Sequence, residues 1–170
     1  MAKDDTQLTT SAVPRAASHP TVTLLESGLR DESGNSGDIL SPQLERAKSI
    51  VFILDVSAVS GITPLLDVAI YAKLDDWCYR MLQFSQKSAV GCSARQLRRD
   101  GATFTDALTL LDTVPEPTAS SGYVKDGVPW GDTFVVAYKI QGTFAPGDPG
   151  PPEVPAEGIT FSVTAFPIDF

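Results

Sequence analysis

The sequence predicts an all-β fold, an antiparallel β-sandwich of jelly-roll or immunoglobulin-like type, with a disordered or extended N-terminal arm and long loops. Three observations carry that prediction. Apolar residues alternate with period two in several separate segments, the pattern of strands lying on a core. Thirteen glycines and thirteen prolines in 170 residues provide many turns and disfavour long helices. No internal repeat or coiled-coil heptad competes with this reading. A chain of this size buries about two-thirds of its unfolded surface, so one domain can hold a core without disulfides or metals.

Residues 1–20 form a polar leader rich in Thr, Ser and Ala, with Pro14, Pro20 and the only histidine, His19. Such a composition cannot bury enough apolar surface to order by itself. It is either a dispensable tail or an arm that orders on a neighbour. The domain proper is expected at 21–170. Thr21–Glu26 is a short β-type run, followed by turn residues Gly34, Asn35 and Gly37. Ser41 and Pro42 suit the cap and first position of one helical turn. Ser49–Ser57 reads as an inner strand, with Ile50, Phe52, Leu54 and Val56 on one face. Leu66–Leu74 alternates Leu66, Val68, Ile70, Ala72 and Leu74 with a more polar face, as in a strand half buried on a core. The short loop between them suggests that these two strands pair antiparallel. Asp76–Gln86 is open between strand and short helix. Residues 87–132 read as a long irregular insertion with an apolar patch at Ala107–Leu111. Thr133–Gln141 and Ile159–Ile168 are alternating strands. Between them, 143–158 is an exposed insertion, because the prolines of 147–155 cannot donate to a ladder.

Several function classes are disfavoured. A net charge of −8 opposes phosphate-backbone binding, and Arg95, Arg98 and Arg99 read as a solvated loop. No apolar run approaches the about 18 residues of a membrane span. The N-terminus lacks an apolar signal-peptide core. Cys78 and Cys92 match no zinc spacing; they read as two unrelated thiols, with a bridge as the alternative. Hydrolytic, phosphate-loop, dinucleotide and calcium-loop motifs are absent, and Asp75-Asp76 reads as a solvated turn. No catalytic residue, cofactor or metal is therefore expected. Aromatic residues leave a carbohydrate-binding alternative, centred on Trp130 or Tyr123.

The runs VTLLESGLRDESGNSGDI, SIVFILDVSAVSGITPLLDVAIYAKLDDW and ITFSVTAFPI resemble a family of small tailed-phage and prophage virion structural proteins. The likeness is densest at Leu54–Val68. It implies a β-sandwich on the particle, made in the host cytoplasm, encoded near capsid and head–tail genes. The expected role is a capsid decoration or cement protein that binds the outer surface of the major capsid protein shell, with other virion proteins and further copies of itself as partners. A tail or head–tail joining protein is the alternative. The segments departing from the family pattern, 1–20, 87–132 and 143–158, are where particle contacts are expected. Candidate contact residues are Thr9, Val13 and Pro14 on the leader, Trp130 in the middle insertion, and Pro149, Pro151 and Pro152 on the proline loop.

Overall fold

The computed structural model describes residues 20–100 and 108–168. Two antiparallel sheets pack face to face. The first is four-stranded, in the order β1 (Val22–Arg30), β10 (Ile159–Ile168), β4 (Ser49–Val59), β7 (Gly91–Arg98). The second runs β2 (Gly34–Asn35), β9 (Thr133–Thr143), β5 (Ile62–Leu74), β6 (Trp77–Gln83), β8 (Tyr123–Val124), and β3 (Ile39–Leu40) also pairs with β9.

Alternation places the core. Phe52, Leu54 and Val56 from β4 meet Leu66, Val68 and Ile70 from β5, with Val136, Ile140, Phe161 and Val163 closing the layer; all ten are buried. The single helical turn α1 (Pro42–Arg46) forms where Ser41 caps it, the Ser41 Oγ accepting from the Leu44 amide at 3.4 Å. It drops Leu44 fully into the core at one end of the sandwich.

Three expectations are corrected. First, β4 and β5 do not pair. β4 lies between β10 and β7, whereas β5 lies between β9 and β6. The two apolar faces oppose one another across the core, so the short connection is a corner between sheets. Gly61 makes that corner at φ +104, where an added Cβ would lie 2.7 Å from the Phe144 ring.

Second, β5 is covered on both faces. Asp67, Ala69 and Tyr71 are buried on the outer side, where Leu111 and Val114 pack over the sheet. Two amide–carbonyl bonds of 2.8 Å between Cys78 and Leu111 fix this strap.

Third, the middle segment holds strands β7 and β8, and Asp76–Gln86 contains strand β6. Two of its arginines have anchored side chains. Arg95 donates to Ser85 Oγ at 3.1 Å, and Arg99 lies 4.4 Å over the Trp130 ring. Asp75-Asp76 is the turn of the β5–β6 hairpin, with Asp75 at φ 57. Cys78 is buried and Cys92 exposed, both as free thiols.

Candidate functional site

Among the described residues the longest exposed stretch is the proline loop between β9 and β10. Its base is held by the core: the Phe144 ring packs against buried residues beneath Gly61 and Gly142. Beyond that anchor the loop orders itself. Asp148 and Val154 exchange two backbone bonds of 2.8 and 2.9 Å, and the Glu157 carboxylate accepts from the Ala145 amide at 2.9 Å. Within this small hairpin Pro149, Pro151 and Pro152 are all exposed, the Pro151–Pro152 bond is cis, and Val154 is 49% exposed. Proline fixes φ, so the tip loses little freedom when something docks on it. Its charges are all acidic: Asp148, Glu153 and Glu157.

The leader joins at the other end of the molecule. Residue 20 feeds β1, whose first pair is Val22 with Ala165, near the end of β10. The proline loop feeds the start of β10 at Ile159, opposite Arg30. The two segments therefore leave opposite poles, entering six residue steps apart along β10, roughly 20 Å at about 3.3 Å per residue. Thr9, Val13 and Pro14 lie outside the described residues.

Trp130 lies inside the fold and not on the surface of its loop. It is only 4% exposed, and its Nε1 donates to the Leu44 carbonyl at 2.8 Å. Arg99 covers its ring and also donates to its carbonyl at 3.2 Å. The tryptophan is spent inside, locking α1 to the chain before β9. Its loop context in the sequence, GVPWGD, carries no sign of this, because the acceptor lies 86 positions away.

A second concave feature lies along the outer edge of β6, the edge away from β5, where Leu111 bridges Cys78 near one end and Tyr123 and Val124 pair with Gln83 and Leu82 at the other. The groove has a volume of about 400 Å³ and is lined by Tyr71, Tyr79, Arg80, Glu116, Tyr123 and Lys125 among others. Arg80 lies 4.3 Å over the Tyr123 ring and donates to Gln83 Oε1 at 2.9 Å. One face of Tyr123 is thus already taken, and the ring is no bare platform for a sugar. Tyr71 and Tyr79 are buried side chains of its wall, and burial raises both phenol pKa values, that of Tyr79 to about 12. Burial likewise pushes the Cys78 thiol up, against the pull of Lys73.

Among the described residues, no three His, Cys, Asp or Glu side chains are grouped to hold a metal ion, and no helix is long and apolar enough to cross a membrane. Comparison with protein-family models, with curated proteins and with solved structures finds no match to this chain.

Proposed function

We propose that this protein is a structural component of a tailed-phage virion, a decoration or cement protein that bridges neighbouring subunits on the outside of the capsid shell. The reading starts from the family resemblance of the sequence. The observation that carries it is the placement of the two attachment segments at opposite poles of a rigid sandwich. A staple has that design: two contact elements far apart on a stiff body.

The contact elements differ in physics. Ordering a leader of this composition costs about 1–2 kcal/mol per residue, so an arm made from it needs a partner to supply contacts. The proline loop is already ordered, so its docking costs less entropy. Each contact is small, and a shell gains from them through repetition.

The test is to mix the protein with particles lacking it, sediment them, and count bound copies per particle. Saturation at hundreds of copies supports decoration. Six or twelve copies would point instead to a connector or tail ring, and no co-sedimentation would remove the virion reading.

A further inference from the structure

Each sheet of this sandwich has edges, and among the described residues all but one are guarded. In the six-stranded sheet the outermost pieces β2, β3 and β8 are two residues long. In the four-stranded sheet β1 is interrupted by register shifts between Thr23 and Leu25 and between Leu25 and Gly28. Short strands and bulges are the usual devices against edge-to-edge pairing. β7 has neither. It pairs with β4 in unbroken register from Ser49↔Arg98 to Val56↔Gly91.

The outward backbone of β7 can be read from its end. The Arg98 amide donates to Asp126 Oδ1 and its carbonyl accepts from Gly127, both at 2.8 Å, so both groups point away from β4. Alternation then turns the amides and carbonyls of Gln96, Ala94 and Cys92 outward too. None of these has a backbone partner among the described residues, and all three residues are exposed. The window is bounded by Asp126 and Gly127 at Arg98 and by the loop leaving at Gly91.

We propose that this window pairs with the same window of a second copy, antiparallel about a twofold axis at Ala94. Ala94 faces Ala94, Cys92 faces Gln96, and Ser93 faces Arg95. No like charges oppose, although the chain carries −8 overall. The window is therefore self-complementary, which an isologous contact requires. Three hydrogen-bonded pairs supply about six backbone bonds and join two four-stranded sheets into one. Five residues a side fall well short of the roughly 800 Å² per partner of a stable complex, so the contact is weak in free solution and fills where copies are crowded. The contact lies on the flank, leaving both poles free. It does not depend on the virion reading, because it is tested with the free chain.

Trapping by disulfide reads the register. Opposed hydrogen-bonded residues sit about 5.5 Å apart at Cα, within disulfide reach. In a Cys92→Ser background, Ala94→Cys should yield oxidised dimer, and Gln96→Cys should not. With native Cys92, Gln96→Cys should cross-link through unlike positions. Adding Ala94→Pro should abolish that cross-link without shifting the melting temperature, since the amide it removes serves no bond within the chain. Deletion of residues 1–19 should leave the cross-links intact. Dimer yield from Ala94→Cys no higher than from Gln96→Cys in the Cys92→Ser background would overturn the proposal. So would cross-links that vanish with the leader, since that segment and not the β7 edge would then hold the copies together.

Discussion

The hydroxyl of Tyr79 is buried with no hydrogen-bond partner, and its burial raises the phenol pKa to about 12, with Arg99 pulling the other way. The folded chain therefore holds this proton through pH values at which the unfolded chain, near 10, has released it. Stability from this group is full below pH 10 and is lost as pH rises toward 12. Tyr79→Phe should flatten that decline, although Tyr71 shifts in the same direction and keeps part of it. At neutral pH the same change removes an unpaired buried group, so the variant should equal the parent or exceed it by up to about 1–2 kcal/mol. Urea unfolding at pH 7 and in a series up to pH 11 checks both; a clear loss at pH 7 would mean that the hydroxyl is bonded. Trp130→Ala should behave oppositely. It removes a core aromatic, takes one of two donors from the Leu44 carbonyl and uncovers Arg99, so a loss of about 3–5 kcal/mol is expected in denaturant titration.

Strands were legible wherever alternation used large apolar residues. β4, β5, β9 and β10 stand in the sequence because Phe52, Ile70, Val136 and Phe161 and their neighbours mark one face at period two. β7 was not legible: GCSARQLR buries only Leu97, and an edge strand of small and polar residues carries no such stripe. That β4 and β5 do not pair was hidden for a different reason. A short glycine-bearing loop fits a hairpin and a sheet-to-sheet corner equally well, and only the third dimension separates them. Of the candidate contacts, the exposed prolines could be read from their inability to join a ladder, whereas the burial of Trp130 depends on a distant carbonyl. Two predictions belong to this scale. Leu54→Ala on the inner strand β4 should cost about 2–5 kcal/mol, and a loss under about 0.5 kcal/mol would mean that β4 is not central. Replacing 147–155 with a short Gly-Ser link should leave stability within about 0.5 kcal/mol, because the loop's bonds are mostly internal, yet lower binding to particles.

At the scale of the whole molecule, the proposed function and the proposed self-pairing use different surfaces of one sandwich, the poles for the first and the β7 flank for the second. Deleting residues 1–19 should leave the fold intact, since the described core draws on none of them, and should reduce occupancy on particles lacking the protein. Unchanged affinity and occupancy would place attachment on the loop or the sheet faces. The strand order carries a mechanical consequence. The leader enters β1 at one pole and the proline loop enters β10 at the other, and these two antiparallel strands are neighbours in the same sheet. Tension between the poles therefore drags β1 and β10 past each other lengthwise, so their ladder resists in shear instead of unzipping bond by bond. Pulled in a single-molecule force experiment from residue 20 and from the loop tip, the domain should yield at higher force than when pulled from the two ends of the β5–β6 hairpin.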